Sequence, residues 1–360
     1  MKRILVLNPG STSTKIGVFE DEKKIFVESI RHSAEELAVF DRVLDQYDFR
    51  RELVEKTLEN HGFSAQDFDA VVSRGGLLRS IKAGAYYINE DMVWQLRNKP
   101  RHEHASNVGP MIAYAIAQKY GIPAFIYDGI TVDEMTEINK LTGLPEMRRK
   151  GMGHNLNTRA AALRYAREMG KKYSDITVIV VHLGGGISVN LHHNGRIEDF
   201  INDEEGGFSP ERTGGLPMFD VISKCYEDGM TNKTMMKIVK TQGGLVAHLG
   251  TTSCEEVEER IKGGDEHAKL VYDAMALNVA KNIAKLAPDV NGKVDAILIT
   301  GGIAYSDYIT SYIEKCVSFI APVIVYPGED EMQSLANGAL RVLNEEEEAR
   351  VYVRTDNPIE

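Results

Sequence analysis

An apolar run that ends in a sharp glycine turn, followed at once by two more strand-like runs, occurs twice in this chain of 360 residues. The first copy is RILVLNPG with TKIGVFED and KIFVESI, and the second is TVIVVHLGGG with ISVNLHHNG and GRIEDFIND. Runs rich in β-branched and aromatic residues, closed by Gly, Pro, Asn or Asp, read as strands joined by tight turns. In the first half they are followed by helical patterns around 34–60, the run DAVVSRGG, a helix from about Val108 to Tyr120 and the run IPAFIYDG. The second half continues with helical stretches rich in Ala, Glu and Lys, then DAILITGG and APVIVYPGEDE, and closes in the amphipathic SLANGALRVL. Two strand-first α/β units with matching turns predict an internal duplication, with ligand held in the cleft between the halves. The length also suits two domains. No Pro/Gly/Ser-rich linker separates the halves, and the junction falls near Lys150 to Arg159.

Composition narrows the class. With 43% hydrophobic and 26% charged residues, the chain has the balance of a soluble protein with a large core. The apolar run Ile4 to Leu7 is too short for a signal-peptide core, and no stretch is long enough to span a membrane. Cys225, Cys254 and Cys316 have no CxxC spacing, so neither zinc nor a redox pair is indicated and a reducing cytoplasm is expected. A net charge of −11 argues against nucleic acid as a partner.

The turns carry the chemistry. NPGSTSTK presents backbone N–H groups, the hydroxyls of Ser11, Thr12 and Ser13, and the Lys15 cation, which is how proteins hold phosphate. Taken alone, a polar hairpin explains it equally well. HLGGGISV, with His182 and Gly184, Gly185 and Gly186, repeats the feature in the other half, where absent side chains let backbone approach an anion. TGGIAY, with Gly301, Gly302 and Ile303, is a third such point. Three glycine turns at the ends of buried-looking strands suit the phosphates and nucleoside of one nucleotide. There is no GxxxxGKS/T, GxGxxG or HExxH. GISVN lacks the last glycine of a nucleophile elbow and leads into a strand, which discounts Ser188 as a nucleophile.

NPGSTSTK, VVSRGGLL, EHASN, YDGITVDEM, HLGGGISV, SPERTGGLP, LVAHLGTT, ILITGGIA and YPGEDE together resemble the acetokinase family, nearly end to end. That family lies in the superfamily of acetate and sugar kinases, actin and a class of chaperone ATPases. The resemblance implies an α/β fold of two duplicated RNase H-like domains closing on ATP, the actin-like ATPase fold. The implied domains are 1–155, completed by a C-terminal helical segment 333–360, and a nucleotide-binding domain 156–332. Gly185 and Arg74 stand where the acetate-specific pattern has Asn and His, which favours the branch that phosphorylates butyrate and branched-chain acids. The implied reaction moves the γ-phosphoryl group of ATP reversibly to the carboxylate of a short-chain fatty acid such as butyrate, with Mg²⁺, in a homo-oligomer.

A carboxylate with a pKa of roughly 4 is already an ionised nucleophile at neutral pH, so such a site needs cations more than a base. A lone Arg is usually a surface charge and a lone His usually structural. The resemblance assigns Arg74 and Arg212 to a clamp on the substrate carboxylate and the transferring phosphoryl, with His154 on the same phosphoryl. Asp128 ends the run PAFIY, where a carboxylate is hard to explain as packing, and its family counterpart is catalytic. Asn8 and Glu331 resemble the pair that holds Mg²⁺ through water, although Glu329 and Asp330 are neighbours of the latter. His104 and Asn107 of EHASN are expected near the acyl site, and a helix start explains Asn107 nearly as well. Thr251, Thr252 and Ser253 fit a helix cap better than a nucleoside contact.

Other readings within enzymes are an isobutyrate or 2-methylbutyrate kinase, or an acetate or propionate kinase of altered size preference. A chaperone-like ATPase is a different class, and no extra partner-binding domain is visible in the sequence.

Overall fold

The computed structural model describes residues 1–355. Its strands are β1 (Arg3–Pro9), β2 (Ser13–Glu20), β3 (Lys23–Arg31), β4 (Ala70–Arg74), β5 (Ala85–Tyr87), β6 (Ala124–Tyr127), β7 (Val178–Leu183), β8 (Ile187–His193), β9 (Arg196–Ile201), β10 (Ala296–Gly301), β11 (Val323–Pro327) and β12 (Arg350–Val351). They form two mixed sheets, ordered β12-β5-β6-β4-β1-β2-β3 and β11-β10-β7-β8-β9. Within each, an antiparallel three-strand meander comes first and two later strands add in parallel on the far side of the first strand: β4 and β6 beside β1, β10 and β11 beside β7. The order of five strands is the same in both sheets, with β5 and β12 added at one edge of the first, and this is the duplication expected from the repeated turns.

In the first unit, Ile4, Leu5, Val6 and Leu7 are all fully buried, as a continuous apolar run requires when both faces of a strand are covered. The helices Val108–Tyr120 and Glu331–Leu343 pack on β1, β4 and β6. In the second unit, alternate residues of one strand feed opposite layers. Ile179 and Val181 join the core under the helix Glu266–Leu286, whereas Val178 and Val180 join the one under the helix Asn155–Glu168. Among the described residues, no helix is long and apolar enough to cross a membrane.

The units are Met1–Asp133 with the chain from Asp330 onward, and Glu134–Glu329. The first boundary therefore lies upstream of the 155/156 junction read from the sequence, and the second at 329/330 instead of 332/333. The cause is polar. Thr136 N–H donates to the Glu198 carbonyl at 3.2 Å, and the Glu134 carboxylate accepts from Ile197 N–H at 3.1 Å. Arg149 bonds to Asp199 at 2.9 Å and Glu205 at 2.7 Å, so 134–150 is stitched to β9 without any apolar periodicity. Positions 356–360 of the expected 333–360 segment lie outside the described residues.

Candidate active site

In the first unit the parallel strands β1, β4 and β6 end side by side, with Leu7 opposite Ser73 and Arg74 opposite Tyr127. Asn8, Arg74 and Asp128 consequently stand at neighbouring strand ends, where ligands of open α/β sheets bind. The Glu331 carboxylate, in the first turn of its helix, accepts from Asn8 Nδ2 at 2.7 Å on one oxygen and is ion-paired with Arg74 on the other. Of the three consecutive acids this one lies against Asn8. Asp330 instead caps the helix, accepting from Gln333 N–H at 2.9 Å, and pairs with Lys24 at 2.7 Å. One carboxylate and one amide meet at this point, and no cluster of three metal-binding side chains exists among the described residues.

Asp128 is buried in a left-handed conformation at φ 43°, and its carboxylate accepts from Gly84 N–H at 2.7 Å, which ties the end of β6 to the turn before β5. Asn107 is fully buried with both ends of its amide engaged: it accepts from Leu77 N–H at 2.7 Å and donates to the His102 carbonyl at 2.9 Å. The amide thus holds the turn that follows Arg74. His104 Nδ1 accepts from Ser106 N–H at 3.2 Å, and burial, then Arg74 and Arg50, hold its imidazole below the ordinary range, so it stays neutral. Ser11 and Thr12 are exposed in the β1–β2 turn, Ser13 opens β2, and Lys15 is exposed opposite Asn8.

In the second unit the β7–β8 turn is Gly184, Gly185 and Gly186, closed by a bond from Gly184 N–H to the Gly186 carbonyl at 3.1 Å. The Ser209 hydroxyl donates to the Gly185 carbonyl at 2.5 Å and accepts from Arg212 N–H at 3.2 Å. Arg212 lies over Gly186, where a Cβ would stand 2.8 Å from its Cζ, and its guanidinium is paired with Asp203. The His154 ring stacks on His182 with centroids 4.0 Å apart, and its Nδ1 is 3.1 Å from the hydroxyl of the fully buried Ser188. Glu329 accepts from Asn157 at 2.8 Å and lies 3.4 Å from His182 Nε2.

Gly301, at φ 98°, is required by packing, since a Cβ would come within 2.7 Å of the Leu183 carbonyl carbon. A Cβ at Gly302 would meet open space, and Ile303 packs on the core beneath. Ser253 accepts from Glu256 N–H at 3.2 Å, the helix cap read from the sequence. Sequence reading missed Arg50, His32, Asp203, Ser209 and Asn157. Each is an ordinary polar residue with no signal of its own in the sequence, and only the fold of its unit brings it against a glycine turn or a candidate residue.

Two mixed sheets that share one five-strand order, each with a glycine turn after its first strand, define the duplicated actin-like class. The acetokinase family model matches residues 140–320. Butyrate kinase 2 of Clostridium acetobutylicum is 47% identical over 97% of this chain and 99% of its own, and butyrate kinase 1 of that organism 44% over 98% and 100%. The crystal structure of Porphyromonas gingivalis acetate kinase superposes with a TM-score of 0.78 at 19% identity, covering 95% of this chain and 100% of that one, a likeness of fold. The chain belongs to the acetokinase family, an ATP- and ADP-using family of carboxylate phosphotransferases.

Proposed function

We propose that the chain is a butyrate kinase, transferring the γ-phosphoryl group of ATP to butyrate to give butyryl phosphate and ADP. The observation that carries this is the near-full-length identity to two curated butyrate kinases. A carboxylate oxygen attacks the γ-phosphorus as the bond to the bridging oxygen of ADP breaks. No proton need move. Charge neutralisation and positioning therefore do the catalytic work. Arg74 takes the substrate carboxylate, and Arg212 and His154 take the equatorial oxygens of the transferring phosphoryl.

Ser11, Thr12, Ser13 and Lys15 hold nucleotide phosphate, as do His182, Gly184, Gly185 and Gly186. Gly301, Gly302 and Ile303 form the nucleoside side, with Gly301 contributing backbone. Asp128 orients the turn beside the acid, Asn107 positions Arg74, and the neutral His104 donates from Nε2 at the acyl site. A Mg²⁺ carried by the nucleotide fits Asn8 and Glu331 through its waters, because Mg²⁺ keeps several waters and uses one or two carboxylates plus substrate phosphates. When bound there, the ion would supply positive charge against the nucleotide phosphates.

Free Cys225, Cys254 and Cys316 suit a reducing cytoplasm. A homo-oligomer is supported by the apolar side chains Leu216, Met218, Phe219, Ile222 and Tyr226, exposed along and beside one short helix. Light scattering that gives a 40.0 kDa particle would overturn it.

The test of the activity is hydroxylamine trapping with ATP, Mg²⁺ and a panel of acids, because only an acyl phosphate gives a hydroxamate. Butyrate or isobutyrate should react faster than acetate. A higher kcat/KM for acetate than for every four- or five-carbon acid would reject the reading.

A further inference from the structure

Arg50, in the first turn of the helix Tyr47–Asn60, is fully buried although it is an arginine. Its Nη1 donates to the carbonyls of Gly10 and Ser13 and to the Thr14 hydroxyl, each at 3.0 Å, and its Nη2 to the Ser11 carbonyl at 3.2 Å. Its Nε donates to Gln46 Oε1 at 3.0 Å. All five acceptors are neutral. A buried charge without a counter-ion is costly, so this one has a task that packing does not supply. Burial draws the guanidinium down to about 10, which leaves it a cation at neutral pH.

The peptide plane says what the task is. A carbonyl that points at Arg50 sends the N–H of the next residue the opposite way. With the Gly10 and Ser11 carbonyls drawn inward, the amides of Ser11 and Thr12 face outward from a turn whose side chains are exposed. Among the described residues, neither amide has an acceptor. Outward amides backed by a fixed positive charge form an anion site.

We propose that Arg50 is a positioning residue for nucleotide phosphate: its guanidinium sets the Gly10 to Thr14 backbone with carbonyls inward and amides outward, and the bound phosphate is the counter-ion that the buried cation lacks. This rests on reading the β1–β2 turn as part of the nucleotide site. Thr14 extends the arrangement inward. Its hydroxyl accepts from Arg50, leaving its proton for His32 Nε2 at 2.9 Å.

The experiment compares the full-length parent with Arg50→Lys and Arg50→Met, measuring KM for ATP, KM for butyrate, kcat and thermal melting. Lysine keeps the charge and loses the fork, so the KM for ATP should rise about 10-fold, and for the methionine variant kcat/KM for ATP should fall about 100-fold. KM for butyrate should stay within about 2-fold in the lysine variant, which keeps the charge that acts on His104, and in the methionine variant it should change less than KM for ATP. A purely structural role would lower melting and the active fraction and leave both KM values at parental level. Parental KM for ATP in a folded Arg50→Lys variant, equal rises in both KM values, or failure of both variants to fold would each overturn the assignment. If the parent yields no hydroxamate, the proposed activity fails separately, and calorimetric titration of parent and Arg50→Lys with ATP then decides the role of Arg50.

Discussion

The guanidinium of Arg74, at the end of β4, is ion-paired with the carboxylate of Glu331, 257 positions further along the chain. The pairing exists because the chain returns to the first unit at Asp330 and starts its last long helix there. It fixes the planar donor fork of Arg74 and leaves the other Glu331 oxygen to Asn8.

Glu331→Gln keeps the volume and removes the charge. If Glu331 holds the hydration shell of a nucleotide-borne metal, the Mg²⁺ concentration for half-maximal rate should rise about tenfold, in the range of other outer-shell partners of metals. KM for butyrate should change less. A Mg²⁺ titration that superposes on the parental one would leave Glu331 with only its bonds to Arg74 and Asn8 as its task.

A second expectation concerns stability. His192 in β8 is fully buried and its Nδ1 bonds to the Tyr173 hydroxyl at 2.8 Å. Burial, and then Arg159, pull its pKa from 6.5 down to about 3. Below pH 6.5 the unfolded chain takes up a proton here that the folded chain refuses. The contribution is thus complete above pH 6.5 and is lost as pH falls, at up to about 1.4 kcal/mol per pH unit. Asp199, raised by burial to about 6, works in the opposite sense below that value, so the whole-protein curve mixes both. Comparison with His192→Gln isolates the imidazole. Denaturant unfolding at pH 6.5 and 5.0 should show a smaller loss in the variant, and equal losses would mean that His192 titrates normally.

Strand ends were legible because long apolar runs announce buried strands and the residue after each run is placed by the ladder; Arg74 and Asp128 stood out as candidates in that way, whereas Asn8 came only with the family resemblance. Arg50 could not be found that way. It sits beside Arg51 in the same helix, yet one is fully buried against carbonyls while the other makes an ordinary i,i+4 pair with Glu55. Which of the two turns inward depends on the β1–β2 turn packing against that helix, a contact between distant segments. Glu329, Asp330 and Glu331 were equally ambiguous in sequence, and their three different tasks follow from where the helix begins. The strands β5 and β12 span only 3 and 2 residues, too few for any period to register.

The last expectation joins Arg212 to Gly186. Arginines that neutralise a transferring phosphoryl are worth about 10³ or more in rate, so Arg212→Ala should lose at least that in kcat while melting normally. Arg212→Lys should fall nearly as far if the contact is a fork, and only mildly if a point charge suffices. Gly186 supplies an independent handle on the same group, because a Cβ there would stand 2.8 Å from Arg212 Cζ and must push the guanidinium off its position. Gly186→Ala leaves Arg212 in the chain, charged and beside Asp203, yet it should reproduce much of the loss. If both changes act through one guanidinium, the double variant should be no worse than Arg212→Ala alone, whereas independent effects would multiply. Single-turnover hydroxamate formation across the four proteins measures the coupling. A normally melting Arg212→Ala with near-parental kcat would remove Arg212 from the mechanism, and multiplicative losses in the double variant would assign Gly186 a task of its own at the nucleotide.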